Sequence, residues 1–308
     1  MCIRDSVYTA EKEGAWVVTC TYQSQVATAT LTVNHAGLDR VDLTPDAATR
    51  AAGASISYAL TAYDAYSNSW DVTAGGWYTI TPGAGGVWAT NVYTAEKDAT
   101  WTVTGTYDTA LDTAILTVTN VAPTAVISGP TTGDEGEAFT FDADLSFDPG
   151  NDIVSYAWDF DYGGTFVTDT SGITATHIYT EPGNYVLALR VTDDNGAGDT
   201  TTETVTVNNL APTADANGPY SGDEGSGISL DGSSSSDAGG GALSYAWDLD
   251  DDGQFDDALV ATPVYTWTEP GVFAVTLVVT DSGGLTDTDA TTVTVNNLAP
   301  TANANGPY

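Results

Sequence analysis

Basic residues are scarce in this chain: 6 Lys and Arg stand against 42 Asp and Glu, for a net charge of −36. A surface of that sign has no basic patch with which to release phosphate counterions, so DNA and RNA are excluded as partners. Cysteine is scarcer still, with Cys2 and Cys20 alone in 308 residues, and no paired framework is expected to staple the fold. No apolar run approaches the roughly 18–20 residues of a membrane span, so no membrane insertion is expected in this segment. The only imidazoles, His35 and His177, lie beside no nucleophile motif, and zinc spacings, a P-loop and a dinucleotide fingerprint are all missing. Counting does not exclude a glycosidase-type carboxylate pair, yet small sandwiches seldom offer a cleft deep enough for one. The expectation is a segment that is not an enzyme.

What is present is repetition. Val7-Tyr8-Thr9-Ala10-Glu11-Lys12 returns at Val92 to Lys97, Tyr156-Ala157-Trp158-Asp159 at Tyr245 to Asp248, and Val207-Asn208-Asn209-Leu210-Ala211-Pro212 at Val295 to Pro300. A period of 85 to 89 residues is too long for a solenoid unit and suits small domains that fold alone in tandem. Eight Trp and 16 Tyr argue against disorder despite the acidity. The acidic surface suits a secreted protein in calcium- or salt-rich water; a genome-wide acidic bias would explain it equally. Met1 to Ser6 matches nothing in the second repeat and has no signal-peptide h-region, so it is read as extraneous. Both ends look cut, because residues 299–308 repeat 211–220.

Residues 7–34 correspond to 92–119, and both alternate Thr with Val, Ile, Leu or Tyr, the period-two pattern of half-buried antiparallel strands. Leu38 to Leu43, Ser55 to Tyr63 and Gly76 to Ile80 read the same way. Further strands are expected at Phe139 to Asp142, Ile153 to Phe160, Tyr185 to Thr192 and Thr201 to Val207, with counterparts at Ile228 to Leu230, Leu243 to Leu249, Phe273 to Thr280 and Ala290 to Val295. Short strands, Gly/Asp/Ser turns and no helical stripe predict tandem immunoglobulin-like β-sandwiches, an all-β fold.

Three motifs carry a specific resemblance. Tyr156-Ala157-Trp158-Asp159-Phe160-Asp161, then Thr176-His177-Ile178-Tyr179-Thr180-Glu181-Pro182-Gly183, then Val191-Thr192-Asp193-Asp194-Asn195-Gly196 resemble the signature of PKD (polycystic kidney disease) domains. All three recur in order at Tyr245 to Asp250, Tyr265 to Gly271 and Val279 to Gly284. Asp161 and Asp250 stand where the family usually has Gly, and Trp267 stands where Tyr179 does. The first 120 residues resemble bacterial immunoglobulin-like (Big-type) repeats through Val41-Asp42-Leu43-Thr44-Pro45, Ser69-Trp70-Asp71-Val72-Thr73 and Trp101 to Tyr107. The expected division is 1–34, a truncated bacterial Ig-like domain; 35–121, a bacterial Ig-like domain; 122–209 and 210–298, PKD domains; and 299–308, the start of a further one.

The sharpest candidate site is Asp248-Leu249-Asp250-Asp251-Asp252-Gly253-Gln254-Phe255-Asp256-Asp257. Carboxylates at positions 1, 3, 5 and 9 (Asp248, Asp250, Asp252, Asp256), glycine at 6 and a carbonyl at 7 (Gln254) follow the spacing that wraps oxygens around Ca²⁺. Position 12 is Leu259, so the bidentate Glu of an EF-hand is missing and the ion would be structural; a solvated acidic turn is the plain alternative. The resemblance to PKD domains implies a second calcium site at Asp148, Asp152 and Asp193, and at Asp237 and Asp281 in the next unit, where acidic turns are again the plain alternative. Trp158 and Trp247 are expected in the cores. Trp70, Trp77 and Trp88 lie in Gly-rich stretches and are expected to pack against the sandwich in preference to stacking on sugars.

The sequence therefore reads as a non-catalytic, calcium-stabilised modular array of a prokaryotic secreted or cell-surface protein. It would act as spacer or stalk and as an adhesion or protein-interaction module, extracellular, with surface proteins, polysaccharide and neighbouring domains of the same longer chain as partners. The alternative is an accessory region that binds carbohydrate or protein substrate for a secreted hydrolase.

Overall fold

Alternating Thr and aliphatic residues dictate pleated strands, and strands form throughout the part of the chain that the computed structural model describes, residues 7–301 and 306. Among the described residues the one helical element is a 3-10 turn at Thr73–Gly75, and no helix is long and apolar enough to cross a membrane. The chain divides into two compact units: Met1–Thr124 with Phe147–Ser155 and Val191–Asp199, and Ala125–Ser146 with Tyr156–Arg190 and Thr200–Tyr308.

In the first unit, Gly14–Tyr22 and Gln25–Val33 form a hairpin in continuous register from Gly14↔Val33 to Tyr22↔Gln25. Gln23 and Ser24 both take positive φ at its two-residue turn, the conformation that matches strand twist. Val17, Val18, Tyr22 and Val26 are all exposed. Among the described residues no cysteine is free and Cys20 is disulfide-bonded, which corrects the expectation that no cysteine pairs; Cys2 lies outside the described residues.

The following sandwich packs a sheet ordered Ala47–Ala51, Ala110–Thr119, Ala99–Tyr107, Trp77–Ile80 against two three-stranded sheets. These are Leu38–Thr44, Ala59–Asp64, Ser69–Asp71 and Ser55–Ser57, Val92–Thr94, Val87–Ala89. Leu43, Tyr58, Leu60, Val103 and Leu116 fill the core. Gly105 belongs there because a Cβ would come within 2.8 Å of Leu43 Cδ1. The strand expected over Ser55 to Tyr63 is in fact two, since the chain changes sheets at Tyr58, whose N–H turns to Asn91 O at 2.9 Å. Ala47–Ala51 runs parallel to Ala110–Thr119, a departure from the all-antiparallel reading.

Beyond residue 124 the same plan recurs twice. One sheet runs Thr132–Asp134, Gly198–Asn208, Gly183–Asp193, Ile153–Asp159, Thr170–Ser171, with Ala138–Asp142 and Thr174–Ile178 as the second layer. The next runs Tyr220–Asp223, Thr286–Asn296, Gly271–Thr280, Ser244–Asp248, with Gly227–Ser229 and Val264–Thr266. Each again opens with a parallel edge strand. Phe139, Phe141, Trp158, Leu187, Leu189 and Val205 are buried in the first core; Leu230, Trp247, Val275, Leu277 and Val293 are buried in the second. The indole N–H, which would be costly to bury alone, is satisfied in both: Trp158 Nε1 donates to Gly172 O at 2.8 Å and Trp247 Nε1 to Val260 O at 3.0 Å.

Because Trp158 is fully buried, Trp158→Ala is expected to cost about 3–5 kcal/mol, read as a lowered denaturation midpoint with native strand content retained in the neighbouring sandwich.

Candidate cation site

Asp193 closes the strand Gly183–Asp193 and is almost completely buried, at 1% exposure. Its Oδ1 accepts from the N–H of Asn195 at 3.0 Å and of Ala197 at 2.8 Å, and its Oδ2 from Asn120 Nδ2 at 2.7 Å. Asn120 directly follows the strand Ala110–Thr119. Asp148 and Asp152 flank a tight turn in which Gly150 N donates to Asp148 Oδ1 at 2.5 Å and Asn151 takes φ 54°. One carboxylate oxygen from each of Asp148, Asp152 and Asp193 lies within 4.8 Å of the others.

Three oxygens at this spot have no donor. Asn120 Oδ1, Asp148 Oδ2 and Asp152 Oδ1 are shut off from solvent and accept no hydrogen bond, and each such orphan costs about 1–3 kcal/mol. Burial, then the charge of Asp148 and the hydrogen bond that a protonated Asp152 makes to it, push the Asp152 carboxyl up to about 6, with Asp194 and Asp193 adding to the repulsion. An array of hard oxygens with nothing to neutralise them is the donor set a calcium-sized dication takes, in 6–8 contacts at roughly 2.3–2.6 Å. Asp98, from the loop before Ala99–Tyr107, and Asp194 form a second group with Asp152, and Asp98 Oδ2 accepts from Asn195 Nδ2 at 3.2 Å. Asp98, Asn120 and Asp194 were not foreseen. Only Asn120 leaves a trace in the sequence, since Asn209 repeats it before Ala211-Pro212.

The corresponding position one module on is built differently. Asn209 Nδ2 donates to Asp281 Oδ2 at 3.1 Å, and Asn209 Oδ1 and Asp237 Oδ1 are buried without partners. Gly241 stands in the place of Asp152, and Asp237 and Asp281 belong to no group of three carboxylates among the described residues. Glu135 approaches instead. It is 2% exposed, accepts from Leu210 N at 2.7 Å, and is pushed up by burial and by the charges of Asp237, Asp281 and Glu181. Ser282, which replaces Asp194, donates to Glu181 Oε2.

In the loop after Ser244–Asp248 the structure gathers Asp248 and Asp250 with Asp257. Asp248 is tied into the turn through the N–H groups of Asp251 at 2.8 Å and Gly253 at 2.9 Å. Asp252 and Gln254 bond to one another, and Asp256 is exposed and outside the group. Asp257 takes its place because its Oδ2 accepts from Leu249 N at 2.6 Å and Asp250 N at 3.2 Å. Asp169 closes the sister loop in the same way, on Phe160 N at 2.7 Å. Burial, then Asp252 and Asp257, raise the Asp250 carboxyl.

Of the three tryptophans read as lying in Gly-rich stretches, all are in short strands; Trp70 stacks on His35 at 3.8 Å and Trp88 packs among Tyr58, Tyr78 and Tyr93. Trp77 is 79% exposed, which overturns the expectation that it packs: side chains alternate along Trp77–Ile80, and Tyr78 takes the half-buried side.

The PKD domain profile matches residues 120–208 and again 209–295, together more than half of the chain. Over 93 residues the chain is 41% identical to the microbial collagenase of Vibrio alginolyticus, covering 30% of this chain and 11% of that protein. Over 88 residues it is 41% identical to collagenase ColQ1 of Bacillus cereus (strain Q1), covering 29% and 9%. The crystal structure of the PKD1 domain of Vibrio anguillarum Epp is 36% identical and covers 29% of this chain and 96% of its own, with a TM-score of 0.24. The chain spans about a tenth of the length of the curated relatives it matches.

With divalent ions chelated, the raised Asp152 carboxyl sets a pH dependence. A folded-state value of about 6 against 3.8 favours the protonated form, so stability is fully present below pH 3.8 and falls as pH rises to about 6. Melting in EGTA across that window is expected to show this decline in the wild type and to lose it in Asp152→Asn.

Proposed function

The chain belongs to the PKD domain family, and from that premise we propose that it is a non-catalytic run of spacer modules from an exported prokaryotic protein, stiffened at its joints by calcium. The observation that carries this reading is the set of donorless buried oxygens on Asn120, Asp148 and Asp152 beside the buried Asp193. Asp98 supports the same idea: it comes from the preceding sandwich, so an ion held by Asp98, Asp152 and Asp194 ties residues 38–119 to the turn that carries Asp148 and Asp152. Residues 35–121 are assigned as a bacterial Ig-like module, supported by the sandwich order of their strands, and the hairpin before them as the end of another. The array presents acidic rims and loops to surface proteins or polysaccharide. An extracellular setting accords with the acidic surface, which calcium and salt screen outside the cell. The loop of Asp248, Asp250 and Asp257 is a second, more exposed calcium candidate.

An affinity near 10 µM would let millimolar calcium add about 2.7 kcal/mol of stability. The expected result is a calcium-dependent rise in melting temperature that Asp193→Asn removes and Asp252→Asn leaves intact, with ion stoichiometry read by titration calorimetry. A melt indifferent to calcium and EGTA would refute the calcium reading.

A second reading is an accessory region that binds substrate for a hydrolase. It draws on the similarity to the collagenases of Vibrio alginolyticus and Bacillus cereus and on the exposed ring of Trp77, which can stack on a sugar. It requires retardation of the protein in polysaccharide-loaded native gels that Trp77→Ala abolishes without lowering the melting temperature.

A further inference from the structure

Each of the three sandwiches carries one glycine in the left-handed region just after its parallel edge strand: Gly53 at φ 80°, Gly136 at 76° and Gly225 at 74°. The residue before each donates its N–H to the end of the last strand, Ala52 to Thr119 O, Glu135 to Asn208 O and Glu224 to Asn296 O, all at 3.0 Å. The glycines donate in turn to Ala95 O at 2.8 Å, Tyr179 O at 2.9 Å and Trp267 O at 2.8 Å. Three modules of divergent sequence thus build one identical end.

Two of these ends are covered. A Cβ on Gly53 would meet Pro149 Cβ at 3.0 Å, and one on Gly136 would run into Ala238 O. Pro149 and Ala238 are equivalent positions in the turn of the following module, after Asp148 and Asp237. Glu135 is buried at 2% under that turn, and Gly239 lies close against Thr180 O. The third end has the same geometry with none of the described residues on it: a Cβ on Gly225 would meet no described atom within 4 Å, and Glu224 is only half-buried. Yet Glu224 Oε1 already accepts from Leu298 N at 2.9 Å, as Glu135 accepts from Leu210 N, and Asn296 Nδ2 reaches Asp223 Oδ1 as Asn208 Nδ2 reaches Asp134 Oδ1.

We propose that the Glu224–Gly225 end is a preformed docking face whose occupant is a further module of the same build, joined in cis and seated through the turn equivalent to Asp237–Gly241. Continuity with the two covered ends argues for this occupant, and so does the peptide Ala299-Pro300-Thr301, which repeats the Ala211-Pro212-Thr213 lead-in of the module that covers Gly136. The contact is with the Pro149 ring at Gly53 and with the backbone of Ala238 at Gly136; neither uses a carboxylate, so it is independent of the calcium reading.

The test compares the full chain with the chain extended after Tyr308 by a second copy of residues 221–298, using carbodiimide labelling of carboxylates read by mass spectrometry in EGTA. In the unextended chain Glu224 is expected to label and Glu135 to be protected; in the extended chain Glu224 labelling falls to the level of Glu135. Gly225→Val in the extended chain restores labelling of Glu224 while Glu135 stays protected, which reports the face separately from folding. Equal labelling of Glu224 in both chains would overturn the proposal. So would protection in the unextended chain that grows with protein concentration, since that assigns the face to a second molecule.

Discussion

Like charges forced together at the joints are the constraint around which this chain is organised. With 42 carboxylates and 6 basic side chains, carboxylates crowd one another in three groups among the described residues, and Arg40–Asp42 is an exposed salt bridge. The sandwiches hold by packing and cross-strand pairing, with a fully buried tryptophan anchored by its N–H in two of them. Their edges and turns must absorb the electrostatic cost. They do so largely by spending backbone N–H groups: Asp64, Asp159, Asp193, Asp248 and Asp281 are all buried and all accept main-chain hydrogen bonds. Where the N–H groups run out, as at Asp148 and Asp152, oxygens are left bare, and those are the places where chemistry other than packing is called for.

The fold was legible because its determinants are local. Alternation marked the long strands, and the Trp-Asp and Glu-Pro-Gly motifs marked two complete modules. The parallel edge strands Ala47–Ala51, Thr132–Asp134 and Tyr220–Asp223 were not foreseen, since Gly and Asp make the last two read as turns, the alanines of the first give no alternation, and only pairing with a distant last strand makes them strands. Ser55 to Tyr63 alternates without interruption, so nothing local announces that it changes sheets at Tyr58.

The site was less legible for a physical reason: its ligands come from turns far apart in sequence. Asp148, Asp152 and Asp193 were reached through a family resemblance; Asp98 could not be, because its relevance depends on how a neighbouring loop is placed. In the Asp248 loop an EF-hand spacing pointed to Asp256, but that spacing presumes a helix after the loop. Here the chain returns as strand and the closing bond falls to Asp257, one residue on, as it falls to Asp169 in the sister loop. Trp77 failed for a similar reason, since one residue of register decides which side of a strand an aromatic ring takes.

The exchange of Asp194 for Ser282 gives the two covered joints unlike personalities. One confronts Asp98 with two further carboxylates, so its geometry answers to ionic strength and to whatever countercharge the medium supplies. The other closes with a hydroxyl clasp on Glu181, which screening by dissolved salt loosens far less. Dissolved salt therefore acts on the two joints to different extents, strongly where carboxylates face one another and weakly where a hydroxyl meets one.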